Sequence, residues 1–228
     1  MENKIKNNLF FYATSELSQD AFICYLMSFL LKDAKEDSVL QACAKSLLVK
    51  MVPKLAGKNI VLENVERQID HMDVLLTVIS EEEKYKIVVE DKINTSEHSN
   101  QLLRYLDIIH KKYPEFLARG VYYKTGFQSD LSVIEEAGYQ IITRSEMLDL
   151  LAPLAERAFV LRPDSPRAMD PAALCALLAK RGVEARPCAS VEEGLETALS
   201  AAGKDGVICA LGSLYLCGAL RSAWFKNR

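Results

Sequence analysis

Two short stretches of the chain carry residue types that bind a metal ion and activate water. Asp73 stands at the start of one apolar run, and Glu90, Asp91 and Lys92 close another. Because side chains alternate along a strand, Glu90 and Lys92 share one face and Asp91 points to the other. Antiparallel pairing of the two runs would bring Asp73 near Glu90. Two carboxylates, with water and phosphate as the remaining ligands, suit Mg²⁺ or Mn²⁺, and a neighbouring lysine can orient the attacking water.

A plain ion pair between Glu90 and Lys92 on an exposed strand is the alternative interpretation of these residues. Two further features favour a site. Gln101 and Tyr105 lie four residues apart on the next predicted helix, and therefore on one face. Glu16 lies just ahead of the first long predicted helix.

The elements that must position these residues follow from the spacing of apolar side chains. Recurrence every three or four residues predicts a helix, and apolar runs bounded by turn residues predict strands. The last two of the first three strands are expected to form a hairpin that turns at residues 80–83. The predicted elements are helices Asp20–Leu31 and Ser38–Lys50, strands Ile60–Glu66, His71–Ile79 and Tyr85–Ile93, helix Glu97–Lys111, strand Gly120–Tyr123, helix Leu131–Glu136 and strand Tyr139–Thr143.

This ordered set resembles the PD-(D/E)XK nuclease superfamily. Asp73 matches its first acidic position, residues 90–92 match its E-x-K, and residues 101–105 match the Q-x-x-x-Y of RecB-like members. Residues 11–22, which include Glu16, are similar to the opening of a subgroup of bacterial nuclease-like proteins. The resemblance covers about residues 8–150 and implies an α/β fold with a restriction-endonuclease-like αβββαβ core.

The resemblance also implies roles for the acidic residues and the lysine. Asp73 and Glu90 would hold Mg²⁺ or Mn²⁺, with the carbonyl of Asp91 assisting. Lys92 would activate water, and Glu16 would support a metal or a water molecule. The implied activity is hydrolysis of phosphodiester bonds in nucleic acid, with DNA as the expected partner.

Two polar residues of the following helix complete the implied site. Gln101 and Tyr105 would contact the substrate phosphate.

Asp70 is an alternative to Asp73 as the first acid, since it lies only three residues earlier. Asp73 is preferred because the apolar run begins directly after it.

Composition narrows the classes of function. The chain has 28 Lys and Arg against 31 Asp and Glu, a formal net charge of −3, so no global basic field attracts nucleic acid by charge alone. No apolar run reaches the roughly 18 residues of a membrane span, and no membrane partner is expected.

The cysteines form no C-x-x-C pair and are interpreted as buried, reduced thiols of a cytoplasmic protein. They are Cys24, Cys43, Cys175, Cys188, Cys209 and Cys217.

The composition changes near residue 146. Lysine is the main cation before that point, whereas arginine leads after it and alanine becomes more frequent. We therefore predict two domains, residues 1–145 and 146–228; one protein with an alanine-rich helical end is the alternative. Regular alternation in the second segment predicts a parallel sheet. Its predicted elements are strand Ala158–Leu161, helix Pro171–Lys180, strand Glu184–Arg186, helix Val191–Ala201, strand Gly206–Leu211 and helix Tyr215–Trp224.

The second segment resembles the C-terminal end of folylpolyglutamate synthases over about residues 146–226. The resemblance rests on residues 152–157, 162–168 and 212–218 and implies a partial Rossmann-like α/β unit. A G-x-x-x-x-G-K-[ST] phosphate loop is missing from the sequence, so folate ligation by this chain is not expected.

The leading hypothesis is therefore a metal-dependent nuclease fused to a partial folate-ligase-like unit. One alternative is a non-catalytic protein of nuclease-like fold that binds nucleic acid or another protein. A second is a fragment of a folate ligase that acts only within a larger assembly. Binding of a divalent cation separates the first hypothesis from the others.

Overall fold

The computed structural model describes residues 19–34, 36–92, 100–126, 128–164, 168–204, 206, 208–210 and 214–226. The chain divides into two compact units, Met1–Leu150 and Leu151–Arg228. This division falls a few residues after the predicted one at residue 145.

The first unit is built on a five-stranded mixed sheet. The strands lie in the order β1-β2-β3-β4-β5; β1, β2 and β3 are antiparallel neighbours, and β3, β4 and β5 are parallel neighbours. The elements are α1 (Gln19–Ser28), α2 (Ser38–Met51), β1 (Ile60–Ile69), β2 (Met72–Ser80), β3 (Lys84–Lys92), α3 (Gln101–Lys112), β4 (Leu117–Lys124), α4 (Ser132–Glu136), β5 (Tyr139–Thr143) and α5 (Arg144–Leu151).

This order confirms the predicted α/β class and the αβββαβ core. The hairpin between β2 and β3 turns at residues 80–83, as expected. The first helix ends at Ser28 rather than Leu31, because the next three N–H groups bond to carbonyls three residues back and tighten the chain. The predicted helix Glu97–Lys111 is described from Gln101 onward, and residues 97–99 lie outside the described part of the chain.

Helices cover the sheet of the first unit on both faces. Along β2 and β3, Leu75 and Val88 are paired and belong to the core beneath α3, which we call the α3 face. The next pair, Val74 and Val89, is equally buried on the opposite face, which we call the α1 face because α1 contacts β1 and β2. The core of the α3 face consists of Met72, Leu75, Val88, Leu102, Tyr105, Ile109, Ala118, Tyr122, Ile134 and Tyr139.

The second unit contains a two-stranded parallel sheet, as its strand–helix alternation predicts. The predicted strand Gly206–Leu211 is wrong: residues 206 and 208–210 are described, they form no strand, and they are exposed. A short apolar run becomes a strand only beside a partner that takes up its backbone hydrogen bonds. The elements are β6 (Arg157–Val160), α6 (Pro171–Ala179), β7 (Glu184–Pro187), α7 (Val191–Ala202) and α8 (Leu214–Lys226).

All six cysteines are free thiols. Burial is confirmed for Cys24, Cys43 and Cys188, whereas Cys175 and Cys217 are only half-buried. The prediction is wrong for Cys209, which is exposed because its described neighbours form no strand. Within the described residues, no helix has both the length and the apolar character needed to cross a membrane.

Candidate active site

Asp73 and Glu90 lie opposite each other at one end of two neighbouring strands. The last paired residues of β2 and β3 before this point are Val74 and Val89, and Asp73 and Glu90 occupy the next position on each strand. Directly opposed residues of an antiparallel pair share a face, so the two carboxylates stand side by side at this end of the strands. The sheet thus brings together the two acids that the sequence singled out.

The carboxylate of Asp73 is held by two neutral donors. The backbone N–H of Asp91 donates to Oδ2 at 2.9 Å, and the side-chain amide of Gln68 donates to Oδ1 at 3.1 Å. These two hydrogen bonds hold the carboxylate in place. Neither donor carries a charge, so neither neutralises the negative charge of Asp73.

The Glu90 carboxylate is buried beside a like charge and a lysine. Its residue is 1% exposed, Oε1 lies 2.5 Å from Lys92 Nζ, and Oε2 has no hydrogen-bond partner among the described residues. Burial raises the pKa of Glu90 above its ordinary value, and the charge of Asp73 raises it further; Lys92 and the nearby Gln101 amide lower it in part. A carboxylate that is buried, repelled by a like charge and short of a donor is a group that a cation would stabilise.

Lys92 is a half-buried ammonium group beside Glu90. Burial alone would lower its pKa, but the hydrogen bond and charge of Glu90, with the charge of Asp73, outweigh it and the pKa is raised. Lys92 therefore stays protonated, which suits a role in orienting water and balancing negative charge rather than in removing a proton.

The side chain of Asp91 points to the α1 face, as strand alternation predicts. Its Oδ1 is buried without a hydrogen-bond partner among the described residues. Burial, followed by the charges of Asp73, Asp20 and Glu90, raises its pKa to about 8. The carboxylate of Asp91 therefore lies away from Glu90 and Lys92, and the ligand role of its carbonyl stays a prediction.

Gln101 and Tyr105 lie on the face of α3 that covers the sheet. The Gln101 amide donates to the Tyr105 hydroxyl at 2.5 Å, and that hydroxyl donates to the carbonyl of His71 at 2.5 Å. Tyr105 is 0% exposed, whereas Gln101 is half-buried. The pair thus ties α3 to the turn between β1 and β2, and the predicted contact of both residues with substrate phosphate stays a prediction.

Asp70, the other candidate for the first acid, lies in that turn and is engaged elsewhere. Its carboxylate accepts both hydrogen bonds from Lys112 Nζ, at 2.6 and 2.8 Å. Asp73, and not Asp70, is the residue that stands opposite Glu90.

Glu16 lies outside the described residues, but another acidic residue of the N-terminal region reaches the site. Asp20, in the first turn of α1, is 2% exposed and its Oδ2 lacks a hydrogen-bond partner in the described part of the chain. Burial raises its pKa, Arg67 lowers it in part, and Asp73 raises it. In the sequence analysis Asp20 is only the first residue of a predicted helix. A charged residue at the start of an otherwise apolar helix is the one sequence feature that could have marked it as a site residue.

A divalent cation at this site would take few ligands from the protein. Among the described residues, no group of three or more His, Cys, Asp or Glu side chains is arranged to hold a metal ion. Asp73 and Glu90 supply two carboxylates, and Mg²⁺ ordinarily binds to one or two protein carboxylates while water and phosphate complete its octahedron.

Comparisons with known proteins bear on the first unit. The family model described as the PD-(D/E)XK nuclease superfamily matches residues 7–151. No curated protein matches the chain. A solved structure of an XisH family protein from Nostoc punctiforme is similar at 16% identity over 43% of this chain and 88% of its own, with a TM-score of 0.25, too low to support any argument. Residues 152–228 lie beyond the family match, so their resemblance to folylpolyglutamate synthases stays a prediction.

Proposed function

The chain belongs to the PD-(D/E)XK nuclease superfamily over residues 7–151, and on that premise we propose that it is a Mg²⁺- or Mn²⁺-dependent nuclease. Its proposed reaction is hydrolysis of phosphodiester bonds in nucleic acid, with DNA as the expected substrate. The observation that carries the proposal is Glu90, whose buried carboxylate faces Asp73, contacts Lys92 and keeps one oxygen without a donor in the described structure.

The donor set fits a hard divalent cation. Each oxygen of Asp73 accepts one hydrogen bond and keeps a further lone pair, and Glu90 Oε2 accepts none from the described residues. The carbonyl of Asp91 is the third proposed protein ligand, and Glu16 is proposed to support the metal or its water. A bound ion would polarise the phosphate and lower the pKa of a coordinated water molecule.

Lys92 is proposed to orient the attacking water and to balance negative charge that develops on the phosphate. Its ammonium group is anchored to Glu90 Oε1, and its side chain is 18% exposed, so it faces both the buried carboxylate and solvent. A cation fixed before the substrate arrives stabilises developing charge without reorganisation.

Gln101 is the better placed of the two predicted phosphate contacts because it is half-buried and lies near Glu90. Tyr105 is buried and is proposed to act mainly through its hydrogen bond with Gln101.

For the second unit, the proposed origin is a folylpolyglutamate-synthase-like C-terminal end. This origin rests on the sequence resemblance alone, and no ligase activity is proposed.

A cleavage assay with matched variants tests the proposal. We expect the purified chain to cut DNA with Mg²⁺ or Mn²⁺ and to stop when EDTA is added. Glu90→Gln and Lys92→Met should each lower the rate by about a hundredfold or more, whereas Glu115→Gln, an exposed acid of the same unit, should leave it unchanged.

Linear, circular and single-stranded DNA and RNA should be tested in parallel. Binding of nucleic acid without cleavage under all metal conditions would overturn the proposal in favour of a non-catalytic binding protein. Cleavage that Glu90→Gln leaves intact would show that the activity arises elsewhere.

A further inference from the structure

Gln68 on β1 lies directly opposite Asp73 on β2. The pairs on either side, Arg67 with Val74 and Ile69 with Met72, place Gln68 and Asp73 opposite each other between them. We propose that Gln68 is a positioning residue that sets the orientation of the Asp73 carboxylate. This inference rests on the proposed function, because Asp73 is the proposed metal ligand.

The Gln68 amide completes a two-sided hold on Asp73. It donates to Oδ1 at 3.1 Å while the Asp91 N–H donates to Oδ2 at 2.9 Å. With both oxygens engaged the carboxylate cannot turn freely about its last bond. A neutral amide fixes the group without cancelling the charge that a cation requires, which a lysine or arginine at this place would do.

The backbone at Gln68 is held in a conformation that favours glycine. Its φ is 51°, in the left-handed region, where a non-glycine residue costs of the order of 1 kcal/mol or more. A glycine would satisfy this backbone better, but it would lack a side chain that reaches Asp73. The amide that donates to Asp73 is what this position gains from glutamine.

The neighbouring turn is fastened so that the strained segment keeps its shape. Asp70 and His71 form a two-residue turn with φ of 50° and 68°, the signs that a type I′ hairpin turn requires. Lys112 binds the carboxylate of Asp70, and Tyr105 donates to the carbonyl of His71. Helix α3 thus fixes the turn that follows Gln68, and with it the position of Gln68 next to Asp73.

The same amide also acts on Asp20 at the start of α1. Burial raises the pKa of Asp20, and the Gln68 side chain is among the groups that lower it. The hydrogen bond of the Gln68 amide is nevertheless to Asp73, and the inference depends on that contact alone.

Gln68→Gly is the informative variant because it removes the amide and also suits the left-handed backbone. Asn100→Gly is its matched control: Asn100 has a φ of 56° and makes no side-chain hydrogen bond to the helix that it begins. Circular dichroism should show both variants folded.

The first measurement needs no metal. Hydrogen exchange of the Asp91 N–H, followed by NMR in EDTA, reports how firmly Asp73 is held. We expect exchange to be about tenfold faster in Gln68→Gly and unchanged in Asn100→Gly. An unchanged rate at Asp91 in Gln68→Gly would overturn the inference.

The second measurement is the dissociation constant for Mn²⁺, followed by calorimetry. We expect Gln68→Gly to bind about tenfold more weakly than the natural chain, with Asn100→Gly within twofold of it. Equal affinity in Gln68→Gly would contradict the inference and leave the proposed function standing. Absence of Mn²⁺ binding by the natural chain would instead contradict the proposed function, and the exchange rate at Asp91 would still decide the role of Gln68.

Discussion

The Asp73 carboxylate accepts a hydrogen bond from the backbone N–H of Asp91, across the gap between β2 and β3, with 2.9 Å between Oδ2 and N. The paired residues of these strands end at Val74 and Val89, so beyond that pair the Asp91 N–H bonds to a side chain instead of a backbone carbonyl. Asp73 therefore has a structural part as well as its proposed chemical one. Asparagine, which keeps an acceptor oxygen, is for this reason a cleaner test of its charge than alanine.

The burial of Asp91 predicts that the metal-free chain becomes less stable as the pH rises. The pKa of Asp91 is raised from 3.8 to about 8, first by burial and then by the charges of Asp73, Asp20 and Glu90. Between these values the folded chain keeps a proton that the unfolded chain has lost. The free energy of unfolding should therefore fall from about pH 4 to about pH 8, by up to about 1.4 kcal/mol per pH unit.

Asp91→Asn removes this titrating group, so its stability should depend less on pH and should exceed that of the natural chain above pH 8. Urea unfolding in EDTA at pH 5, 7 and 9 measures the effect. Parallel pH profiles for the two chains would show that Asp91 titrates normally.

A buried lysine on β3 predicts a large effect from a single substitution. Lys86 is 6% exposed; its Nζ lies 2.8 Å from Thr77 Oγ1, 3.6 Å from a Glu66 carboxylate oxygen and 4.3 Å from the centre of the Tyr113 ring. Lys86→Met keeps much of the volume but loses these contacts and leaves Thr77 without its donor. We expect about 1–3 kcal/mol less unfolding free energy.

The control for that substitution is Lys84→Met, since Lys84 begins the same strand but is exposed. Its effect should stay within about 0.5 kcal/mol. If thermal or urea unfolding gave equal losses for the two variants, the contacts of Lys86 would contribute nothing measurable.

Gly120 provides the space that the Tyr139 ring occupies. A Cβ at residue 120 would lie 2.5 Å from atoms of that ring, and Tyr139 is fixed because its hydroxyl donates to the carbonyl of Leu102 at 2.9 Å. Gly120→Ala should lower the unfolding free energy by about 1–3 kcal/mol. In a Tyr139→Leu background the same change should cost clearly less, as a double-mutant cycle would show. Equal cost in both backgrounds would rule out the clash.

Much of the first unit could be predicted because its signals are local. Strand Tyr139–Thr143 was predicted with the bounds that the structure gives, since a short apolar run between turn residues has few other outcomes. Glu90 and Lys92 were placed on one face because strand periodicity alone decides this. The predicted strand at residues 206–211 failed because an apolar run does not reveal whether a partner strand is present.

The residues that sequence reasoning missed depend on longer-range geometry. Gln68 is unremarkable in sequence, and its contact with Asp73 follows from hairpin register and a left-handed backbone. Asp20 looks like an ordinary acid in the first turn of a helix, where it would complement the helix dipole; only packing reveals its burial. The burial of Tyr105 likewise follows from how α3 lies on the sheet, which the four-residue spacing from Gln101 does not contain.

The most direct test of the central claim is the affinity for Mn²⁺ of the natural chain, Asp73→Asn, Glu90→Gln and the exposed control Glu115→Gln, measured by calorimetry on folded protein. We predict saturable binding of one ion by the natural chain and by Glu115→Gln, and a loss of at least about tenfold in Asp73→Asn and Glu90→Gln, since each removes one of two carboxylate ligands. Equal affinity in all four proteins, or no binding by the natural chain, would contradict the account.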